Sequence, residues 1–390
     1  MAKGVPFWKI GREIDRATQK LKRQLSRVYE PFSLRSYDKD WEHHIQAHSG
    51  DVSLGEKVAL ILIFQPEKLR TSIFETCLHL IRAGYAPLIV SNSEIPKSDL
   101  IDLKLVCWKA IVRPNVGYDF GGYRDGLRFI NSLDVKPRRV LILNDSIWFP
   151  TLANDTLLAQ MEATDADLVG AIYQEGDDSR PIKSSRRTGF IESFFYLINE
   201  ACLTAPAFKN FWKHYRLSNL KYNAVYDGER QFDKQMQQAG LKVASVLSRT
   251  RLLAALKQQP AKFLHQVLTY AAYTDPIFAA KGAELLHSFD ASDQWKTHTL
   301  VHITQVSAKR HFHSSFCVAT MTLLGASFLK KGSGTVLAKG YGLLHHEMRT
   351  QFLRAVADGM LPRPPETIYT EIRDMQSKLA ASVLPREARI

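Results

Sequence analysis

Two short stretches of this sequence place polar side chains where an apolar segment ends. The first, VRPNVGYDFGGYRDGLRFI at residues 112 to 130, surrounds Asp119 with glycines and an asparagine. The second, RRVLILNDSIWFP at residues 138 to 150, runs from an apolar segment directly into Asn144, Asp145 and Ser146. Carboxylate and amide oxygens at such a point can hold a divalent cation or orient a sugar hydroxyl. A simple turn opened by Asp145 and Ser146 is the alternative.

The first stretch is typical of a strand followed by a helix. Asn115, Gly117, Gly121 and Gly122 lie at this junction. Glycine lets the backbone approach a ligand closely, and a helix N-terminus offers N–H groups and a positive dipole to an anion such as phosphate. The spacing is neither GxGxxG nor GxxxxGKS/T, so the fingerprints of a Rossmann dinucleotide site and of a P-loop are missing.

Asp119 lies at the predicted start of this helix and has two interpretations. An aspartate at the N-cap stabilises a helix by about 1 kcal/mol, because it accepts hydrogen bonds from otherwise unpaired N–H groups. A direct ligand contact is the alternative. Arg124 favours the ligand contact, since arginine is the usual bidentate partner of phosphate.

Apolar segments and helical patterns alternate from residue 57 to about residue 199. VALILIF at 58 to 64 has the length and composition of a strand buried on both faces, and comparable segments begin near residues 86, 108, 138, 167 and 189. This alternation predicts an α/β fold with a mostly parallel sheet. Ligands bind beyond the carboxyl ends of strands in such sheets, which is where both polar stretches lie.

The outer parts of the chain show other patterns. Residues 1–56 include a basic stretch from Gly11 to Arg27, in which Lys and Arg alternate with apolar residues at helical spacing. Beyond about residue 250 the pattern is mostly helical, and the tail from Pro362 is expected to be an extended wrap or a loose end. We therefore predict a basic helical N-terminal extension (1–56), an α/β domain (57–250) and a helical C-terminal region (251–390).

The chain carries a formal net charge of +13, which favours an anionic partner. Nucleic acid, a phosphorylated ligand and the acidic inner leaflet of a membrane all fit this charge. The basic stretch is either a membrane-surface helix or a solvated helix packed on its own domain. No run of about 18 apolar residues occurs, and the four cysteines are scattered without zinc-ligand spacing, so we expect no membrane span, disulfide or structural metal site.

RPNVGYDFGGYRDGL followed by VLILNDSIWFP resembles the rhamnan synthesis F family of bacterial polysaccharide glycosyltransferases. TGFIESFFYLINEACLTAPAFKNFWKHY and VYDGERQFDKQMQQAGLKVASVL resemble two further segments of that family, and WKTHTLVHI with GASFLKKGSG resembles its C-terminal pattern more weakly. The resemblance covers residues 57 to 250 well and 290 to 335 faintly. It implies a GT-A-like glycosyltransferase, in which a Rossmann-type domain binds a nucleoside-diphosphate sugar.

The resemblance assigns the nucleotide-sugar site to the two polar stretches. The implied residues are Asn115, Gly117, Asp119, Gly122, Arg124, Asn144, Asp145 and Ser146. Asn144 to Ser146 occupy the place of the metal-binding DxD of that fold, so Asp145 is the implied ligand of Mg²⁺ or Mn²⁺. Because Asn144 replaces the first acid of DxD, the expected metal site lacks one carboxylate.

An inverting sugar transfer needs a base for the acceptor hydroxyl and positive charge opposite the departing diphosphate. The candidates for the base are Glu229, Asp227 and Glu192, the last of which stands where the family more often has glutamine. We favour Glu229, since DGER opens a predicted helix at the place where inverting GT-A enzymes often carry the base; stabilisation of the helix dipole is the alternative. The basic candidates are Arg124, Arg186 and Arg187, with a solvated loop as the alternative for the last two.

These observations predict a glycosyltransferase that moves a sugar, L-rhamnose or another deoxyhexose, from a nucleoside-diphosphate donor to a bacterial surface polysaccharide or lipopolysaccharide. A lipid-linked acceptor would place a cytoplasmic protein peripherally on the inner face of the plasma membrane. A non-catalytic carbohydrate-binding or polysaccharide-assembly protein on the same fold is one alternative. A nucleic-acid-binding protein is another, but the sequence has no helix-turn-helix, RNP or zinc-finger signature.

Overall fold

The computed structural model describes residues 18, 30, 35–176, 188–309, 311–332 and 341–383. The predicted basic helix over residues 11–27, apart from Thr18, lies outside these residues, as do Arg186 and Arg187.

Strands and helices alternate through the first half of the chain. In order they are β1 (Gln46–Ser49), β2 (Lys57–Ile63), α1 (Thr71–Arg82), β3 (Tyr85–Ser91), α2 (Lys97–Lys104), β4 (Lys109–Val112), α3 (Tyr118–Ser132), β5 (Arg139–Asn144), β6 (Ile147–Trp148), α4 (Leu157–Ala163) and β7 (Leu168–Gln174). The predicted strands near residues 58, 86, 108, 138 and 167 are confirmed, because continuous apolar runs of this length have few other stable arrangements.

Helices predominate after residue 200. The order continues with β8 (Phe190–Ile191), β9 (Phe195–Asn199), α5 (Glu200–Thr204), α6 (Pro206–His214), α7 (Arg230–Gln238), β10 (Val243–Ser248), α8 (Arg249–Lys257), α9 (Ala261–Thr269), α10 (Pro276–His287), α11 (Asp293–Lys309), α12 (Phe312–Ser315), α13 (Cys317–Leu324), β11 (Leu329–Lys330), α14 (Tyr341–Ala357) and α15 (Glu366–Val383). A π-helical segment, Ala224–Glu229, leads into α7.

One large sheet forms the centre of the fold. Its strand order is β1-β4-β3-β2-β5-β9-β7-β10, with β8 beside β7. The neighbours β4, β3, β2 and β5 pair in parallel, as do β7 and β10, whereas β9 lies antiparallel between β5 and β7. The predicted α/β fold with a mostly parallel sheet is therefore confirmed. The carboxyl ends of β2, β4 and β5 meet at one edge.

Alternate residues of β2 enter two separate apolar clusters. Ala59, Ile61 and Ile63 pack into the cluster that contains α1 and the C-terminal helices. Val58, Leu60 and Leu62 pack into the other cluster, with α3, α6 and α7. The sheet thus has helices on both faces, which explains why its inner strands are apolar at every position.

Two regions differ from the predictions. Residues 46–49 form β1, which pairs antiparallel with β4, so this part of the N-terminal extension is strand rather than helix. The tail is helical as α15, not extended. Ile368 and Ile372, one helical turn apart, are fully buried, and their burial stabilises the helix. Pro362, Pro364 and Pro365 precede the helix.

A small second sheet follows the Asn-Asp-Ser stretch. The strands β6 and β11 pair antiparallel, with Ile147 opposite Lys330 and Trp148 opposite Leu329. The backbone N–H of Lys331 donates to the carbonyl of Ser146 over 2.8 Å. A segment of the C-terminal region is therefore fastened to the carboxyl edge of the main sheet.

Candidate functional site

The glycine turn before α3 depends on one left-handed residue. Gly117 has φ 80 and ψ 15, a conformation that favours glycine, and a Cβ there would lie 2.7 Å from Leu217 Cδ2. The N–H of Gly117 donates to Asn219 Oδ1 over 3.2 Å. That donor is thus already bonded within the protein. Asn115 lies exposed in the same turn.

A buried ion pair between Arg113 and Asp125 stabilises this turn. Arg113, at the end of β4, donates to Asp125 Oδ2 over 2.6 Å and to the carbonyl of Val116 over 2.7 Å. Tyr37 donates to the same carboxylate oxygen over 2.5 Å. These bonds tie the strand end, the turn and α3 into one unit, and removing either ion would leave a buried charge without its partner.

Two of the predicted ligand-binding residues have contacts elsewhere. A Cβ on Gly122 would lie 2.3 Å from Leu62 Cδ1, so this glycine allows α3 to lie close against β2. Arg124 forms an ion pair with Asp38, and its guanidinium lies 3.6 Å from Asp125 Oδ1. The described contacts of Gly122 and Arg124 are therefore with other residues of the protein, and Leu62 is itself the neighbour of Asn144 at the end of β5.

Asn144 joins the two polar stretches. Its Nδ2 donates to Asp119 Oδ2 over 3.1 Å, and its Oδ1 accepts from the N–H and the hydroxyl of Ser146 over 3.2 and 2.5 Å. A carboxylate at residue 144 would place an acceptor oxygen opposite the acceptor oxygen of Asp119, and this hydrogen bond would be lost. The amide is thus chemically matched to Asp119, which accounts for the asparagine at this position.

Asp145 is anchored to the end of β2. Its Oδ2 accepts from the N–H of Phe64 over 3.0 Å and from Gln65 Nε2 over 2.9 Å. Its backbone N–H donates to the carbonyl of Leu62 over 2.9 Å. These three bonds fix the carboxylate of Asp145, which stays half-buried, at the carboxyl edge of the sheet.

Asp119 is in electrostatic contact with two further acids. Desolvation by the surrounding protein raises its pKa to about 6, and the negative charges of Asp145 and Glu229 act in the same direction. Part of its side chain nevertheless remains open to solvent. The three carboxylates therefore form one acidic cluster that a ligand can reach through Asp119.

Glu229 ends the π-helical segment and is held by one serine. Its Oε1 accepts from the N–H and from the hydroxyl of Ser193, both over 2.9 Å. Burial raises the pKa of Glu229, and the charge of Glu192 adds to this effect, whereas the bonds from Ser193 oppose it. A carboxylate with a raised pKa, fixed in orientation, is suited to accept a proton.

Asp227, the second predicted base, faces another direction. It is exposed, and its negative charge acts on Tyr215. It lines a surface depression together with His214 and Arg216. Asp227 thus lies exposed, whereas Glu229 is half-buried and acts on Asp119.

Glu192, the third predicted base, lies buried in the turn between β8 and β9. Its Oε1 is 3.1 Å from His311 Nδ1 and 3.3 Å from His313 Nε2, and its Oε2 is 3.8 Å from Lys330 Nζ. Burial raises the pKa of Glu192, but the two histidines more than offset this effect, so its pKa lies well below its usual range. Such a carboxylate is a poor base and a good ligand for a cation.

Two lysines complete the site from the C-terminal region. Lys330 Nζ lies 3.4 Å from the centre of the Phe194 ring. Burial lowers the pKa of Lys330, whereas the negative charges of Glu192, Glu229 and Asp119 raise it. Lys331 is buried, which lowers its pKa to about 8, although Asp145 and Glu371 favour its charged form. Lys330 thus faces the acids, whereas Lys331 Nζ donates to Ser72 Oγ over 3.4 Å and lies 5.4 Å from the centre of the Trp148 ring.

Sequence reasoning missed most of this basic side. His311 and His313 carried no signal that linked them to Glu192, which is more than 100 residues away. For Lys330 and Lys331 the single signal was the faint C-terminal resemblance at GASFLKKGSG. Among the residues that the structure describes, Glu192, His311 and His313 form the one group of three whose ligand atoms all lie within 4.8 Å.

The fold is that of an α/β protein with a cluster of charged side chains at the carboxyl edge of its sheet. The family model described as rhamnan synthesis protein F matches residues 88–316. The chain belongs to this family. The matched part includes the glycine turn, the Asn144 tip, Glu192, Glu229 and both histidines.

Other proteins give further comparisons. An uncharacterized protein, y4gN of Sinorhizobium fredii, is 29% identical over 235 residues, which are 60% of each chain, so the match spans less than two thirds of that relative. S. aureus TarS 1–349 in complex with UDP-GlcNAc has 11% identity and a TM-score of 0.27, over 83% of this chain and 89% of that chain.

A mannosyltransferase from Pyrobaculum calidifontis in complex with GDP-Man and Mn²⁺ has 10% identity and a TM-score of 0.30, over 94% of this chain and 96% of that chain. Such low TM-scores support no inference, and the fold class stands on the sheet topology itself. None of the helices formed by the described residues combines the length and the apolar character that a membrane crossing requires.

Proposed function

We propose that this protein is a glycosyltransferase, which takes a sugar from a nucleoside-diphosphate donor and adds it to a bacterial surface polysaccharide or lipopolysaccharide. Membership of the rhamnan synthesis protein F family supports the polysaccharide class. The observation that carries the proposal is the convergence of Asp119, Asp145 and Glu229 with Lys330 at the carboxyl edge of the sheet.

Glu229 is the base in this proposal. It takes the proton of the acceptor hydroxyl while the acceptor oxygen attacks the anomeric carbon of the donor and the bond from that carbon to the diphosphate breaks. The two bonds from Ser193 support this role, since they hold one carboxylate oxygen and leave the other for the acceptor. The raised pKa of Glu229 lies closer to neutral pH, which makes its carboxylate a stronger base.

The departing diphosphate gains negative charge as that bond breaks, and stabilising this charge lowers the barrier. Lys330 and Lys331 are the cations that we assign to it. Asn115, Gly117 and Ser146 line the approach to the same place in our assignment. The catalytic unit therefore needs more than residues 57–250, because both lysines come from the region beyond residue 250.

A Mg²⁺ or Mn²⁺ ion beside Asp145 fits the residues present. Mg²⁺ commonly uses one or two carboxylates, substrate phosphates and several waters. Asp145 and Asp119 offer two carboxylates, although one oxygen of Asp145 already accepts two hydrogen bonds. When bound, such an ion would neutralise charge on the diphosphate.

The proposal is tested by nucleotide release from a panel of nucleoside-diphosphate sugars, dTDP-L-rhamnose among them, with a lipid-linked glycan acceptor and with or without Mn²⁺. We expect release by the wild type that Glu229→Gln and Asp145→Ala both reduce. Release by both variants at the wild-type rate would contradict the assignment. L-rhamnose or another deoxyhexose is the donor sugar that we propose, and a peripheral position on the inner face of the plasma membrane is the proposed location.

A non-catalytic carbohydrate-binding or polysaccharide-assembly protein is the second candidate. The amide of Asn144 favours it, because the site has one carboxylate fewer than a DxD motif would supply. That candidate predicts binding of donor or glycan without nucleotide release, and the same assay separates the two.

A further inference from the structure

Three side chains from distant parts of the sequence meet beside the acidic cluster. Glu192 Oε1 lies 3.1 Å from His311 Nδ1 and 3.3 Å from His313 Nε2, and the two ring nitrogens are 3.4 Å apart. The three ligand atoms therefore form a nearly equilateral triangle. Glu192 comes from the turn after β8, and both histidines come from the segment at α12.

The size of this triangle matches a metal-binding site. Zn²⁺ binds imidazole nitrogen and carboxylate oxygen at about 2.0–2.2 Å, which sets tetrahedral ligand atoms about 3.3–3.6 Å apart. The observed separations differ from that range by a few tenths of an ångström at most. An ion above the triangle would need little movement of the backbone and would keep its fourth position for water or substrate.

Hydrogen bonds from both rings to Glu192 are the alternative arrangement. It requires both rings to aim an N–H group at one oxygen from nitrogen atoms that are 3.4 Å apart. A metal ion instead accepts a lone pair from each of the three atoms. Ser314 Oγ lies 3.4 Å from His313 Nδ1, the ring nitrogen opposite the triangle, where ligand histidines usually have a second partner.

Burial and charge favour a cation at this place. The side chains of Glu192 and His313 are only 7% and 2% exposed. Three carboxylates, those of Glu192, Glu229 and Asp119, act on the single ammonium of Lys330. Lys330 Nζ lies 3.8 Å from Glu192 Oε2, which leaves Oε1, the oxygen beside the two histidines, for a divalent ion.

We propose that Glu192, His311 and His313 bind a divalent transition-metal ion, for which Zn²⁺ is the best match. Two imidazoles and a carboxylate suit Zn²⁺, whereas Mg²⁺ prefers oxygen ligands. This site differs from the oxygen ligands at Asp145, and it does not depend on sugar transfer. The ion would fasten the α12 segment to the turn between β8 and β9.

The test uses the untagged 390-residue chain, since a histidine tag would bind the same metals. The protein is treated with EDTA and then titrated with Zn²⁺ or Co²⁺, with bound metal measured by mass spectrometry and the Co²⁺ coordination measured by visible absorption. We expect about one ion per chain, a tetrahedral Co²⁺ spectrum and a higher melting temperature with Zn²⁺.

Glu192→Gln and His313→Gln should each weaken binding by about tenfold or more and remove the rise in melting temperature. His79→Gln is the matched control, because His79 Nε2 pairs with Asp155 Oδ2 over 3.0 Å without a second histidine, and it should bind metal as the wild type does. Circular dichroism checks each fold. If His313→Gln does not fold, the half-buried His311→Gln replaces it.

Failure of the wild type to bind a stoichiometric ion would overturn the proposal. So would metal binding that survives in Glu192→Gln and His311→Gln but is lost in Asp145→Asn, because the ion would then belong to the oxygen ligands. Neither result depends on turnover, so a failed metal site and a failed glycosyltransferase remain distinguishable.

Discussion

The two sides of the site differ in origin and in chemistry. The acidic side, Asp119, Asp145 and Glu229, comes from the helix after β4, the end of β5 and the segment before α7. The other side, with His311, His313, Lys330 and Lys331, comes from short segments of the C-terminal region that are held by α12 and β11. The α/β sheet thus supplies the acids, and the helical region supplies the cations and imidazoles. Sugar transfer, as proposed, needs both.

The largest expected effect distinguishes Glu229 from its neighbour Asp227. Glu229→Gln should lower kcat by about 10²–10⁴-fold, since the base is lost while the shape is kept. Asp227→Asn, which changes a carboxylate on the Tyr215 side, should retain the rate. Initial rates of nucleotide release measure both. Glu229 cannot act as a base when it is protonated. Because its pKa is raised above the ordinary value of 4.5, the wild-type rate should already fall at a pH above 4.5.

A larger loss in Asp227→Asn than in Glu229→Gln would assign the base to Asp227, and wild-type rates in both variants would contradict a base at either residue.

Lys331 should make stability depend on pH. Its pKa is about 8 in the folded protein against 10.5 ordinarily, so the unfolded chain binds more protons between these values and the free energy of unfolding rises with pH. Between pH 8 and pH 10.5 the free energy of unfolding of the wild type should rise by roughly 3 kcal/mol more than that of Lys331→Met. Urea unfolding at several pH values measures the difference.

Asp145, Glu371 and Arg70 face Lys331 in both proteins, so their effects cancel in the comparison. Parallel pH curves for the wild type and Lys331→Met would show that the ammonium of Lys331 is not buried as described.

Asn144→Asp tests whether the amide of Asn144 stabilises the acidic side by its hydrogen bond to Asp119. The substitution replaces the N–H that donates to Asp119 with an oxygen, so the free energy of unfolding in EDTA should fall by about 1–3 kcal/mol. Mn²⁺ should recover more stability in the variant than in the wild type, because the added carboxylate restores a DxD-like ligand set. Thermal unfolding with EDTA and with Mn²⁺ measures both effects. Unchanged stability in EDTA would mean that the amide of Asn144 is not needed.

The smallest expected effect concerns the glycine turn. Gly84 and Gly117 both have a left-handed φ, +82 and +80, but no atom lies within 4 Å of a Cβ on Gly84, whereas Leu217 lies 2.7 Å from one on Gly117. Gly84→Ala should cost about 1 kcal/mol from backbone strain, and Gly117→Ala about 1 kcal/mol more. Chemical denaturation measures the pair. Equal losses would show that the turn can move away from Leu217.

Much of the acidic side could be predicted from the sequence. Continuous apolar runs indicated the parallel strands, and polar residues at their ends indicated where a ligand would bind. The resemblance assigns Gly122 and Arg124 to the ligand site, but motif spacing does not reveal which face of a helix a residue occupies. Their contacts with Leu62 and Asp38 come from tertiary packing.

The basic side could not be predicted in the same way. Lys330 reaches the site because β11 pairs with β6, and both strands have only two residues, too few to show a periodic pattern. Glu192 and the two histidines become neighbours only when α12 packs beside the turn after β8. Local sequence carries no trace of such a contact across more than 100 residues.

The most direct test of the central claim is calorimetric titration of nucleoside diphosphates into the wild type, Lys330→Met and Glu229→Gln. If the diphosphate lies between the acids and the lysines, the wild type should bind one of the nucleoside diphosphates. Lys330→Met should bind that nucleotide about tenfold or more weakly, and Glu229→Gln should bind it as the wild type does. Equal binding by the wild type and Lys330→Met, or no binding by any of the three proteins, would contradict the account.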